Sequence, residues 1–430
     1  MPNRMSYPAH ARALLVLGLP LVGSHLAQIA ISMTDTIMLG WYAVEALAAV
    51  TLAASFAFTL FIVGSGFAFA VLPMVASAVE EGDETQVRRV TRMGMWISCL
   101  YGVAVMPLLI WSEPIFLALG QKPEIAALAG EYLGIFALGM VPSLLVMVLK
   151  SYLAALERTQ VVFWITVAAA VLNGVLNYVL IFGNFGAPEL GLSGAAIASV
   201  SMQVGSLLIL GLYIAWALPA HALFQRIWRP DWEGFARVFR LGWPIGLTNL
   251  AESGLFSASS LLMGWLGAIP LAAHGIALQL ASATFVFHLG MSQAATVRVG
   301  RAVGRRDPRG LRDGAAVATV VSFGFAMVTV VVFLAFPDVL MGLFVDPDDP
   351  DRPAIIAFGV TLLALAALFQ LVDGAQVIAL GVLRGLQDTR VPMIYAAISY
   401  WGVGVPSSYL LGFPLEMGAA GIWLGLVIGL

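Results

Sequence analysis

Three carboxylates lie deep inside apolar stretches of this 430-residue chain: Asp35 in LAQIAISMTDTIMLG, Glu252 in LGWPIGLTNLAESGLFSASSLLM and Asp373 in LALAALFQLVDGAQVIALG. An isolated ion in hydrocarbon costs at least about 2.5 to 3.5 kcal/mol, so such groups face a cavity or a partner. Glu252 lies 12 residues beyond Arg240 and Asp373 lies 11 before Arg384, which puts each roughly 16 to 18 Å from the same membrane surface if the two helices run in opposite directions. Gln370, Asp373 and Gln376 recur every three residues and so share one helical face. Two acids at one depth can share a proton or jointly hold a hard cation. Asp35 forms a second candidate cluster with Asn173 and Asn177, which are four residues apart on one face. For both groups the alternative is an interhelical hydrogen bond serving packing, a common use of polar side chains in membranes. His25, His274 and His288 stand singly, without metal-ligand spacing, and read as histidines satisfied between helices.

The elements that position these groups are membrane helices. The chain is 60% hydrophobic and 10% charged, whereas a soluble domain carries about 25% charged residues. Crossing about 30 Å of hydrocarbon takes roughly 20 apolar residues in a helix, and backbone satisfaction excludes open sheets. Charge-poor runs predict spans near 13–40, 47–79, 93–111, 125–149, 161–183, 191–216, 241–263, 271–297, 314–336, 354–383 and 391–412, with a twelfth starting at 418. From Met417 only 14 residues remain, so that last helix reads as incomplete. The fold class is therefore an all-α polytopic membrane protein of twelve transmembrane helices.

Orientation follows from the basic residues, which concentrate in cytoplasmic loops. Nineteen of the 21 Lys and Arg fall on the side of the amino terminus; only Lys122 and Arg352 fall opposite. Both termini are then cytoplasmic, and the acidic run at 346–351 (DPDDPD) is an external turn. The amino-terminal segment leads straight into a full-length span and reads as a retained first helix. The single cysteine, Cys99, forms no intrachain disulfide.

The second half repeats the first with an offset of 224: Pro20 meets Pro244, Gly40 and Trp41 meet Gly264 and Trp265, Gly66 meets Gly290, Asp83 meets Asp307, and Arg88 meets Arg312. The chain thus divides into an amino-terminal six-helix bundle over 1–216, a basic cytoplasmic linker over 217–240, and a carboxy-terminal bundle over 241–430. Parallel repeats of this kind suit alternating access, in which two bundles rock about a central site. Pro20 and Pro244 are candidate kinks.

At these residues the sequence resembles the multidrug and toxic compound extrusion family, in its NorM branch, over essentially its whole length. MTDTIMLGWYAVEALAA is similar to the family's Asp-Thr-x-Met-x-Gly segment; residues 271–304, with AAH and VRVG, resemble its eighth helix; FQLVDGAQVIALGVLRGLQDT resembles the NorM tenth helix with its Gln-x-x-Asp-x-x-Gln and Leu-Arg-Gly. The resemblance implies cation coupling at Glu252 and Asp373, supported by Gln370 and Gln376, and a second polar cluster at Asp35, Asn173 and Asn177. It also implies export of cationic drugs or dyes in exchange for Na+ or H+, with Na+ a candidate at Glu252 and Asp373. His288-Leu289-Gly290 departs from the proline-containing turn usual in relatives.

These observations predict a secondary multidrug antiporter in the plasma membrane, the inner membrane of a bacterium, acting as a monomer. They predict no enzyme, cofactor, nucleic acid or ATPase subunit: no GxxxxGKS phosphate loop occurs. A lipid-linked saccharide flippase would need basic residues in the cavity, and the sequence places none at depth. An intramembrane aspartyl protease would need two facing aspartates, and Asp35 and Asp373 fall in different halves. A passive channel differs from the antiporter by conducting ions without drug exchange.

Overall fold

The computed structural model describes residues 5–430, and among them no strand occurs. Eleven long or composite helices and one shorter one follow the expected spans. They are α1 (Tyr7–Tyr42), α2 (Val44–Glu80), α3 (Glu84–Ile110), α4 (Pro123–Ala155), α5 (Thr159–Phe182), α6 (Gly191–Ala217), α7 (Trp232–Leu266), α8 (Ala268–Gly304), α9 (Pro308–Ala335) and α10 (Arg352–Gly385). The eleventh, α11, spans 390–412 and contains a π-helical stretch at Ile398–Gly404; α12 is Gly418–Gly429. Among the described residues nine of these helices are individually long and apolar enough to cross a membrane. The other three are α7, which carries Glu233, Arg237, Arg240 and Glu252, the interrupted α11, and the twelve-residue α12.

Several helices outrun the apolar runs that announced them, because hydropathy marks only the hydrocarbon-facing part while a helix continues to its cap. The repeat explains two such ends. Asp83 Oδ1 accepts from Gln86 N at 2.9 Å and starts α3, and its repeat mate Asp307 Oδ1 accepts from Gly310 N at 2.9 Å and starts α9. The same N-cap chemistry therefore opens the third helix of each half.

The chain forms two compact units whose boundaries cut through helices. One contains Met1–Val22, Leu247–Val299 and Asp307–Leu430; the other contains Gly23–Gly246 and Gly300–Arg306. Relative to the division at 217–240, the first part of α1 joins the carboxy-terminal unit, and the first part of α7 joins the amino-terminal unit. Both boundaries fall just past a proline, Pro20 or Pro244, where a helix loses a hydrogen bond and can be redirected. Close helix approach holds each borrowed piece. A Cβ on Gly66 would lie 2.8 Å from Gly246 Cα, and one on its repeat mate Gly290 would lie 2.9 Å from Val22 N; only glycine allows backbones so near.

The amino-terminal unit has its core between α2, α4 and α6, with Leu133, Ala137 and Leu144 fully buried among Ala49, Ala53 and Ala196. Its linker residues are bound tightly. Arg92 donates to the carbonyls of Ala222 and Leu223, Trp96 Nε1 to that of Ile227 at 2.7 Å, and Arg89 forms two bonds to Asp231 at 2.6 and 2.9 Å. The Arg89 guanidinium holds the Asp231 carboxyl below the usual carboxylate range, while burial pushes the His221 imidazole down. Of the expected linker, 232–240 is already helical, because Asp231 caps the first turn through Gly234 N. The end of α8 belongs to this unit through Arg301, paired with Glu80 at 3.1 Å and Glu157 at 3.0 Å, and Arg305, paired with Glu80 at 3.1 Å. The carboxy-terminal unit packs α7, α8, α10 and α12 around Leu363, Ala366, Ile422 and Trp423. In its acidic turn, Asp346 Oδ1 and Asp349 Oδ1 accept from backbone amides two residues on, the expected turn chemistry.

Candidate functional site

Within the carboxy-terminal unit, α10 presents Gln370, Asp373 and Gln376 along one face, as their spacing predicts. Gln370 is fully buried and Asp373 is 2% exposed. The amide nitrogens are both engaged: Gln370 Nε2 donates to the Ala281 carbonyl of α8 at 3.0 Å, and Gln376 Nε2 donates to Tyr400 Oη in the π-helical stretch of α11. Their oxygens are therefore turned the other way. Gln370 Oε1, Asp373 Oδ1 and Gln376 Oε1 are all buried without a hydrogen-bond donor.

Glu252, on α7, is half-buried and acts electrostatically on Asp373, Arg384 and Tyr400. α7 and α10 bring the two acids within electrostatic reach of each other. One turn earlier on α7, Asn249 Oδ1 accepts from Arg384 Nη2 at 3.0 Å. The helices around these groups are locked together by close contacts. Gly254 of α7 leaves 2.6 Å between its Cβ position and Trp401 Cζ2, and Trp401 Nε1 donates to the Ala251 carbonyl at 3.2 Å. Between α8 and α10, Ser292 and Thr296 donate to the carbonyls of Val377 and Gly381 at 2.6 and 2.8 Å. Such rigidity suits a site that must hold oxygens in place without a ligand's help.

The second predicted cluster assembles within the amino-terminal unit. Asn177 Nδ2 donates to Asp35 Oδ1 at 2.5 Å and lies 3.2 Å from Asn173 Oδ1; both asparagines are fully buried. Asn173 Nδ2 and Asn177 Oδ1 are the unpartnered atoms here, and Tyr132 of α4 lies within electrostatic reach of Asp35. The histidines divide. His274 is held by Ser259 and Ser260 at 3.4 and 3.2 Å and by Trp423 Nε1 at 3.1 Å, a packing role. His288 bonds Ser322 through Nδ1 at 2.7 Å and lies against Gly374, next to Asp373.

Among the described residues no three His, Cys, Asp or Glu side chains converge, so any cation shell would need amide and phenol oxygens beside the two acids. The unpartnered atoms on α10 are all oxygen, the set that suits a hard cation rather than a transition metal. Asn249, Arg384, Tyr400 and Tyr132 were not singled out by sequence reasoning. Asn249 was detectable as a polar residue three positions from Glu252. Arg384 was counted as a loop residue, and its inward turn corrects the premise that no basic group reaches the interior.

The family model described as MatE matches twice, over residues 20–179 and 244–410. The chain belongs to the MatE family. The two matched blocks start 224 residues apart, the offset of the internal repeat. This MatE chain is 50% identical over 428 residues to a probable multidrug resistance protein NorM of Rhizobium meliloti (strain 1021), covering 99% of the chain and 91% of that relative. It is 36% identical over 429 residues to the multidrug resistance protein NorM of Burkholderia vietnamiensis, covering 99% and 92%. Among solved structures, it is similar to the outward-facing conformation of a multidrug resistance MATE family transporter, with a TM-score of 0.88, 21% identity and coverage of 98% and 92%. A MATE structure in complex with MaL6 gives a TM-score of 0.89 at 20% identity, covering 98% and 93%. The all-α membrane fold expected from sequence is thereby that of the family.

Proposed function

We propose that this MatE-family membrane protein is a secondary multidrug antiporter, exporting amphipathic organic cations in exchange for Na+ or H+ by alternating access. The observation that carries the reading is the Glu252–Asp373 pair, in which Asp373 Oδ1 and the two neighbouring glutamine oxygens, Gln370 Oε1 and Gln376 Oε1, are buried without donors. With both acids ionised and Arg384 charged, these three side chains leave one negative charge in excess, which favours a monovalent cation over an anionic cargo. Asp35, Asn173 and Asn177 supply a second polar site in the amino-terminal unit. Export requires that ion and drug prefer opposite states or compete for one, because a ligand bound equally by both states shifts nothing. In this reading the protein works as a monomer in a bacterial inner membrane with both termini cytoplasmic, the arrangement that would turn an inward ion gradient into outward drug movement; the concentration of Lys and Arg on the amino-terminal side supports that orientation.

The test is ethidium efflux from proteoliposomes containing the full chain, driven separately by a Na+ gradient and a pH gradient. Export driven by one gradient and lost in Glu252→Gln and Asp373→Asn supports the reading and names the ion. Ion flux that continues without dye exchange would replace the antiporter with a channel.

A further inference from the structure

Arg384 stands in the last turn of α10, eleven residues after Asp373. Eleven residues make about three helical turns, so both side chains rise from one face. The helix end alone would send an arginine to the membrane surface. Instead Arg384 is half-buried, and its Nη2 is fixed on Asn249 Oδ1 at 3.0 Å. Asn249 and Glu252 are three residues apart on α7 and share a face, which brings the guanidinium toward the Glu252 carboxylate from the cytoplasmic side. Glu252 feels Arg384, and Asp373 feels Glu252. Along α10 the Gln376 oxygen therefore lies one turn from Asp373 on the side of Arg384, and the Gln370 oxygen one turn from Asp373 on the other side.

We propose that Arg384 is a tethered counter-cation that competes with Na+ for Glu252 and so sets both the affinity of the site and the number of positive charges it accepts. A guanidinium keeps its charge under all physiological conditions and cannot leave, because it is part of α10. Na+ binding then brings a second positive charge to the same acids: the ion takes the oxygens of Asp373 and its glutamines together with Glu252, while Arg384 stays tied to Asn249 and opposes it through its charge. With Arg384 present the two acids leave room for one further positive charge; without it they leave room for two. This rests on the reading of the chain as an ion-driven transporter, but it is tested without transport.

The experiment measures the thermal unfolding midpoint of the purified full-length protein in detergent against NaCl, with choline chloride holding ionic strength constant. An ion that binds the folded state raises the midpoint with its concentration. Arg384→Gln is expected to lower the Na+ concentration needed for half of the effect by about tenfold, the scale of one unit charge acting nearby. It should also create a response to CaCl2 that the natural protein lacks. Arg384→Lys, which keeps the charge, is expected to stay within about threefold of the natural protein. Arg384→Met, which keeps the stem, carries the test should Arg384→Gln fail to fold. An unchanged or weakened Na+ response in a folded Arg384→Gln or Arg384→Met variant overturns the proposal, as would a natural protein and variant both indifferent to Na+. Failure of both gradients to drive ethidium from wild-type vesicles would defeat the antiporter reading separately, leaving the binding result to judge Arg384.

Discussion

The two polar clusters occupy related halves of one repeat, yet they end in opposite hydrogen-bonding states. Around Asp35 the leftover atoms are one donor, Asn173 Nδ2, and one acceptor, Asn177 Oδ1. Around Asp373 they are three acceptors, and a second acid and an arginine stand alongside. A donor and an acceptor can both be met by one water molecule, which gives and takes hydrogen bonds. Three acceptors, one of them on a carboxylate with a second acid nearby, would be met most directly by a cation. The repeat has kept the frame, down to the aspartate caps at 83 and 307, while the chemistry inside has diverged.

The largest expected effect removes the feature that separates the halves. Glu252→Gln or Asp373→Asn should reduce gradient-driven ethidium efflux to that of protein-free vesicles and erase the Na+-dependent rise in unfolding midpoint. Asp35→Asn should break the comparison if the two clusters are one functional site. We expect it to lower efflux roughly tenfold, the scale of one lost hydrogen bond to a charged group, while leaving the Na+ response of the unfolding midpoint intact. Loss of that response in Asp35→Asn would assign ion binding to both halves.

A smaller change sharpens the same contrast. Gln370→Leu removes one donorless oxygen without touching a charge, and should raise the Na+ concentration needed for half-stabilisation by about tenfold, equivalent to ~1.4 kcal/mol. Asn173→Leu, its counterpart in the amino-terminal unit, should leave Na+ stabilisation unchanged.

The smallest effect concerns the Arg89–Asp231 tie that fastens the linker to the amino-terminal unit. Asp231 has its pKa held down by Arg89, so its contribution is complete above the ordinary carboxylate value of about 3.9 and is lost as pH falls below that and through the depressed folded value. Because Arg89 is 38% exposed, the tie contributes about 1 kcal/mol or less. Asp231→Asn should therefore unfold slightly more easily at neutral pH, and the difference from the natural protein should shrink as the pH drops below about 4, followed by circular dichroism.

Much of this architecture is legible in the sequence. Apolar run length located the helices, matched Pro, Trp, Asp and Arg located the repeat, and the cost of a charge in hydrocarbon singled out Asp35, Glu252 and Asp373. Spacing in threes and fours put Gln370 and Gln376 beside Asp373, and Asn173 beside Asn177. Less legible was whatever depends on where a long side chain bends. Arg384 sits at a helix end, and counting residues assigns it to the surface; only its bond to Asn249 reveals that it folds back inward. Tyr400 lay in an ordinary-looking aromatic stretch, and nothing in its neighbours foretold a π-helical turn. The unit boundaries inside α1 and α7 were equally hidden, since continuous helices give no compositional break at Val22 or Gly246. Pro20 and Pro244 pointed to those places, but as bends and not as borders.

The π-helical stretch at Ile398–Gly404 has a bearing on how this chain can change through descent. A wide turn of this kind accommodates an extra residue in a helix, and each residue of an α-helix advances the phase by about 100°. Loss of one position there would let 390–412 close into a uniform helix, still apolar and still able to enter the bilayer. Everything on one side of the deletion would then be rotated by more than a quarter turn relative to the other. Tyr400 would no longer meet Gln376, and the Gln376 amide would lose the bond that fixes it. A single-codon deletion at this spot would yield a protein that is made and inserted while its eleventh helix turns a different face toward α10.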